Sequence, residues 1–145
     1  MAQDKHEGKS ATALGLQIAT PLGMQLDTDV ESVQVPGAAG ELGVLPGHLP
    51  LLAALKPGVL KYRKQGQQTA VAVGAGYVEA GASNVRLISE FYARAEDVDV
   101  EQAKQDLEHA EKRMKGFQGM VGDLEHAEAQ RELDWALARL ALVAS

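Results

Sequence analysis

Cysteine is absent from the 145 residues. That removes disulfide scaffolds, thiol nucleophiles and Cys-based metal sites, and it fits a reducing compartment. No apolar run approaches the roughly 20 residues that a membrane-spanning helix needs. The opening MAQDKHEGKSAT is polar and mixed in charge. It has neither the apolar centre of a secretory signal nor the Arg-rich, acid-free character of a mitochondrial one. Long internal repeats and low-complexity tracts are missing as well. Basic charge is in short supply, with a net charge of −6. Residues 1–95 carry eight acids and eight bases, whereas residues 96–145 carry twelve acids and six bases. A nucleic-acid binder concentrates base on one face, and neither part does. The asymmetry divides the chain into two parts with different jobs.

What is present is concentrated in residues 36–58, PGAAGELGVLPGHLPLLAALKPG. Five glycines and four prolines fall in these 23 residues. Glu41, His48 and Lys56 are the ionisable side chains among them. Glycine admits positive φ, and proline fixes φ and removes a donor, so the stretch predicts tight turns joined by very short strands. Such a segment is either a packed turn network or a surface that docks on a partner.

The flanking sequence predicts β-structure up to residue 95. Residues 14–20 form a short run stopped by Pro21, and residues 30–35 place Val33 and Val35 on one face before Pro36-Gly37. Residues 59–63 alternate, Gln65-Gly66 turns the chain, and runs at 70–73, 77–80 and 85–88 follow. Strands at this spacing, with turn signals between them, predict an antiparallel sandwich or barrel. From Glu96 onward proline disappears and Ala, Glu, Lys and Leu dominate. Val100, Ala103, Leu107, Ala110 and Met114 form one helical stripe, and Ala129, Leu133, Ala136, Leu140 and Val143 form another. Asp99 with Gln102 reads as an N-cap and capping box, and Asp123 as the cap of the second helix. Gly116, Gly119 and Gly122 make the loop of an antiparallel helical hairpin. Its Ala-rich stripes predict a weak seam. Trp135, Leu137 and Leu142 lie off the stripe and leave apolar surface for another partner, so the hairpin can rest on the sandwich or leave it. The expected fold is therefore α+β. Residues 1–13 form a polar extension, 14–96 a β-sandwich and 97–145 a helical hairpin.

Catalytic constellations are missing. Residues 37–43 and 74–81 lack the Gly-Lys-Ser/Thr ending of a phosphate loop, and neither clearly opens a helix. His6, His48, His109 and His126 form no HExxH pair and no zinc spacing, so no metal site is expected. His109 and His126 read as solvated. No neighbour in sequence orients His48 as a base, so its role is structural or docking. Glu41 is a single carboxylate, which makes no acid–base pair; it reads as a turn contact or a polar anchor.

Residues 41–58, ELGVLPGHLPLLAALKPG, resemble the signature of the epsilon subunit of F-type rotary ATP synthases, called delta in mitochondria. The likeness continues through LQIATPLG (16–23), VESVQVPG (30–37), GAGYVEAGASNVRLIS (74–89), ARAEDVD (93–99) and the Ala-Arg-Leu triplet at 138–140. It covers about residues 14–143. The resemblance implies a flattened barrel or sandwich of about ten strands, a C-terminal two-helix hairpin, and a place in the central stalk. It implies a non-catalytic rotor subunit that couples ion flow through the c-ring to ATP synthesis. Gamma and the polar c-ring loops would be the partners, met by Glu41, Leu42, Gly43, Pro46, Gly47 and His48. The hairpin would reach the beta and alpha subunits. With no signal visible, the expected location is peripheral, at the cytoplasmic face of a bacterial inner membrane.

In some members the hairpin binds ATP through an Ile/Leu-Asp-x-x-Arg-Ala motif and arginines on the second helix. Here Asp99, Ala103 and Arg139 remain, but Gln102 and Trp135 replace arginines. Each lost guanidinium removes charge-assisted bonds of roughly 1.5–3 kcal/mol. Weak or absent ATP binding, and no cofactor, is the expectation. In other members the hairpin inhibits hydrolysis through basic side chains. Residues 123–145 hold five acids and two bases, which implies weak or differently based inhibition. Two rivals are a β-sandwich protein-binding adaptor unrelated to ATP synthase and a sandwich hydrolase; the second lacks any recognisable site constellation.

Overall fold

Alternation builds the sandwich. In Asn84–Ser89 every second side chain is buried, and Val85, Leu87 and Ser89 point inward. The computed structural model describes residues 13–116 and 124–144. Ten strands precede the helices: β1 Leu14–Thr20, β2 Gly23–Val30, β3 Ser32–Gly37, β4 Gly40–Val44 and β5 Leu51–Leu55, then β6 Gly58–Lys64, β7 Gln67–Val73, β8 Gly76–Ala80, β9 Asn84–Ser89 and β10 Tyr92–Arg94. Their order is β10-β7-β6-β3-β5-β8-β9-β1-β2, with β4 paired to β3. The sheet folds over so that β2 meets β6, where Lys64 Nζ donates to Thr28 Oγ1. Leu14, Leu16, Ile18, Leu60, Val78 and Leu87 fill the interior and are fully buried. Each such side chain contributes about 1.5–3 kcal/mol relative to exposure.

Two expectations are corrected. The pairing is not wholly antiparallel, because β1 runs parallel to β9 in the register Leu16↔Val85 and Ile18↔Leu87. The run at 30–35 is not one strand. It breaks at Glu31, whose N–H donates to Arg63 O at 2.7 Å. Gln65-Gly66 does turn the chain: both residues have positive φ, 51° and 77°, as a two-residue hairpin between right-twisted strands prefers.

A short 3₁₀ turn, Ala95–Asp97, joins the sandwich to α1 (Val100–Lys115) and α2 (Leu124–Ala144). Arg94 grips Asp97 through Nε at 3.0 Å and Nη2 at 3.1 Å. Those hydrogen bonds, the side-chain bond first, hold the Asp97 carboxyl below its ordinary range. Asp99 caps α1 by accepting from Gln102 N at 3.1 Å. The expected capping box is only half made, since Gln102 Nε2 turns away to Asp106 Oδ1 at 2.8 Å. Gly119, Gly122 and the Asp123 cap lie outside the described residues, as does His6. α1 and α2 pack on each other, and Ala103 and Ala110 of the first and Ala129 and Ala136 of the second are fully buried. The surface expected for another partner is largely taken by the sandwich itself. Leu142 is buried with Ala72, Ala93 and Ala138, and Trp135 packs beside them. Leu137 stays exposed.

Candidate functional site

The signature segment builds its turns as its prolines and glycines dictate. Leu45-Pro46-Gly47-His48 is a β-turn with Gly47 at φ +87° and His48 N donating to Leu45 O at 3.1 Å. Proline second and a positive-φ glycine third are the demands of a type II turn. Gly47 N donates to Ala82 O at 2.7 Å, which pins this turn to the one between β8 and β9. His48 Nδ1 lies 2.6 Å from Leu49 O. A carbonyl only accepts, so Nδ1 carries the proton.

Of the expected contact residues, Glu41, Leu42 and Gly43 lie on β4, and Pro46, Gly47 and His48 lie in the pinned turn. Leu42 is half-buried against the core. Glu41 pairs across from Pro36 and lines a groove with Lys56, Lys61 and the α2 residues Asp134 and Leu137. Two strand residues, Leu42 and Gly43, separate Glu41 from Val44, three rises of about 3.3 Å each, and His48 does not line the groove that Glu41 lines. Near the turn the structure adds leucines that pattern alone did not single out: Leu45, Leu49 and Leu52 are 62%, 79% and 72% exposed.

A second surface emerges from the registers. Ala54 pairs with Tyr77, Tyr77 with Ile88, Ile88 with Ala19, and Ala19 with Met24. This is one cross-strand apolar row over β5, β8, β9, β1 and β2, on the outer face of the sheet. Tyr77, Ile88 and Met24 are each more than half exposed. The neighbouring row is Leu52, Glu79, Arg86, Gln17 and Asp27, mostly polar, with Arg86 Nε donating to Gln17 Oε1 at 3.3 Å. Large contiguous exposed apolar patches rimmed by polar residues mark sites of contact with protein, membrane or ligand. The sequence signals only single members of the row: Ile88 and Tyr77 occupy outward positions of strands whose inward positions are already apolar.

The third feature is a cleft of about 450 Å³ between hairpin and sandwich. Glu90, Asp106, Glu128 and Glu132 line it with Arg131, Arg139 and His109. The expected ATP residues do not converge there. Asp99 is used as the α1 cap and Ala103 is fully buried. Arg139 is held by Asp106 Oδ2 at 3.0 Å and by Trp135 O at 3.3 Å, with its guanidinium 5.3 Å from the centre of the Trp135 ring. Desolvation pushes the Asp106 carboxyl up, but hydrogen bonds from Gln102 and Arg139 outweigh it and leave it below the ordinary range. Arg113 pairs with Glu132 at 2.7 Å and Arg131 with Glu90 at 3.9 Å. Among the described residues no group of His, Asp or Glu could hold a metal ion, and no helix is long and apolar enough to cross a membrane.

Known proteins match this architecture along the whole described chain. The family model "ATP synthase, Delta/Epsilon chain, beta-sandwich domain" matches residues 13–95, and "ATP synthase, Delta/Epsilon chain, long alpha-helix domain" matches residues 96–144. The ATP synthase epsilon chain of Nitratidesulfovibrio vulgaris (strain DP4) is 39% identical over 128 residues, 88% of this chain and 93% of that one. That of Moorella thermoacetica is 39% identical over 129 residues, 88% and 94% of the two chains. Among solved structures, a chain of the Euglena gracilis mitochondrial ATP synthase OSCP/F1/c-ring superposes with a TM-score of 0.74 at 19% identity, over 96% of this chain and 86% of that one. At that identity it speaks for the fold alone. Both halves of the molecule, the strands with their pinned turn and the paired helices, thus carry the same assignment: the chain belongs to the ATP synthase delta/epsilon chain family.

Proposed function

We propose that the chain is a non-catalytic central-stalk subunit of a bacterial F-type ATP synthase, coupling rotation of the c-ring to the catalytic head through gamma. The observation that supports this best is the outer-face row from Ala54 to Met24, an apolar strip on a rigid sheet with no catalytic constellation beside it. Gamma would cover this face. The c-ring loops would meet the turn formed by Leu45, Pro46, Gly47, His48 and Leu49, with Glu41, Leu42 and Gly43 on the strand leading into it. A turn anchored through Gly47 to Ala82 suits a contact that must pass torque without yielding. The location follows from the partners, peripheral at the cytoplasmic face of the inner membrane. Co-expression of the chain with its host's gamma subunit should give a stable co-purifying pair. Failure to co-purify would favour the adaptor reading instead.

The same reading makes the hairpin a poor nucleotide site. Its cleft brings four carboxylates against two guanidiniums and a histidine, and Arg139 is already engaged by Asp106. A triphosphate would have to displace that carboxylate and face the others. Calorimetric titration of ATP into the full-length chain should show no micromolar binding, and removal of residues 97–145 should leave hydrolysis by the assembled enzyme nearly unchanged. Micromolar affinity, or a severalfold rise in hydrolysis, would overturn this view of the hairpin.

A further inference from the structure

Strict alternation along β2 would turn Met24 inward. Leu26, two residues on, pairs with the fully buried Ile18 and packs against the core, and residues two apart on a strand share a face. The register explains why Met24 lies outside instead. Ile18 pairs with Leu26 but Ala19 pairs with Met24, so Gln25 is an extra residue on β2, a β-bulge. A bulge re-aims the side chains beside it. This one moves Met24 from the core face to the outer face, where it ends the apolar row that begins at Ala54.

The turn that carries Met24 is tied down. Thr20 Oγ1 accepts from Leu22 N at 3.1 Å and from Gln25 Nε2 at 3.2 Å, and Gln25 Nε2 also reaches Gly23 O at 3.3 Å. Leu22, in the same turn, is 92% exposed and Met24 is 55% exposed. Apolar surface therefore continues past the end of the row, and Met24 lies within it.

Met24 also brings sulfur to this face. The chain has no cysteine, so its sulfur is that of four methionines. Met1 and Met120 lie outside the described residues, and Met114 is half-buried on α1. Among the described residues, Met24 is the exposed thioether. A hydroperoxide oxidises such a sulfur by two electrons. The sulfur lone pair attacks one peroxide oxygen, an S–O bond forms as the O–O bond breaks, and the proton on the transferred oxygen passes to the departing hydroxide, which leaves as water. The sulfoxide product is polar and chiral where the thioether was apolar.

We propose that Met24 is a peroxide-sensitive modification site: its oxidation to the sulfoxide in the unassembled chain prevents the outer face from taking up gamma. This rests on the reading that gamma covers that face. On the free chain the sulfoxide oxygen points into water and costs no stability. Under an apolar partner surface it has no donor, and a polar group covered without a partner weakens binding. A seated gamma shields the sulfur, so the sensitivity belongs to the chain before assembly.

The test treats the chain alone with hydrogen peroxide, removes the peroxide by gel filtration, and titrates the product with the host's gamma subunit. Peptide mass spectrometry confirms the added oxygen at Met24. Oxidation should weaken binding about tenfold or more and leave the melting temperature of the free chain unchanged. Met24→Leu keeps the apolar volume, and after the same treatment it should bind like the untreated parent, which assigns the effect to Met24 among the four methionines. Met24→Gln, polar without any peroxide, should bind as weakly as the oxidised parent. Reduction by the two methionine sulfoxide reductases, one for each epimer, should restore the parental affinity. Undiminished binding by the oxidised parent would overturn the proposal, and so would equal weakening of treated Met24→Leu. Both of those results leave the gamma reading standing, whereas failure of the untreated parent to bind gamma would remove that reading and this proposal with it.

Discussion

Ile88→Asp should abolish co-purification with gamma while leaving the isolated chain as stable as the parent. The side chain is 59% exposed and sits mid-row between Tyr77 and Ala19. On a free surface such a change stays within about 0.5 kcal/mol. Under a partner the carboxylate has no complement, and an uncompensated buried charge costs about 3–5 kcal/mol. That is a loss of affinity on the order of a hundredfold to several thousandfold. Glu79→Gln, in the neighbouring polar row, should change binding little. The measurement is pull-down and titration against gamma, beside thermal melts of the free variants. Wild-type binding by Ile88→Asp would move the gamma contact off this face.

Gly76→Ala should be the most destabilising single methyl added to the chain. A Cβ there would lie 1.9 Å from Ile88 O and 2.9 Å from Ile88 C, both backbone atoms of the adjacent strand. Gly76 pairs with Ser89 on one side and Leu55 on the other, so neither neighbour can retreat without breaking register. Overpacking costs about 1–3 kcal/mol, occasionally more, and a collision with backbone atoms belongs at the upper end, which in a domain of this size lowers Tm by roughly 10 °C. Gly81→Ala is the matched control, because a Cβ there meets nothing within 4 Å. Equal melting of the two variants would show that β8 and β9 can slide apart at little cost.

How much of this was legible depends on what each residue answers to. β1 was read from residue 14 to residue 20 as it stands, because its apolar run is ended by Pro21. The helices were legible through their 3-4 stripes, since the alanines of those stripes are fully buried. β2 was missed. Half of GMQLDTDV is polar, with only Val30 buried, and its strand state comes from pairing with β1. β4 is Gly-Glu-Leu-Gly-Val, too short and glycine-rich for a local signal, and it is strand because β3 supplies the ladder. The candidate surfaces divide the same way. The Pro46-Gly47 turn follows from local chemistry. The row from Ala54 to Met24 required the registers of five strands, which no local pattern carries. Trp135 was seen as surplus apolar surface, but its stacking partner Phe91 sits in a loop fixed only by the tertiary fold.

The parallel pairing of β1 with β9 has a consequence for how the chain is made. Gly15 is matched with Asn84 and Ala19 with Ile88, so the first strand must wait for almost the entire sandwich to be synthesised before its inner neighbour exists. Until then it has only β2, and a lone two-stranded hairpin is marginal in water. Pairings this distant in sequence close slowly and leave strand edges open meanwhile. Ribosome-bound chains that stop short of β9 should therefore present Leu14, Leu16 and Ile18 to chaperones, and elongation past Ser89 is the moment at which that exposure ends.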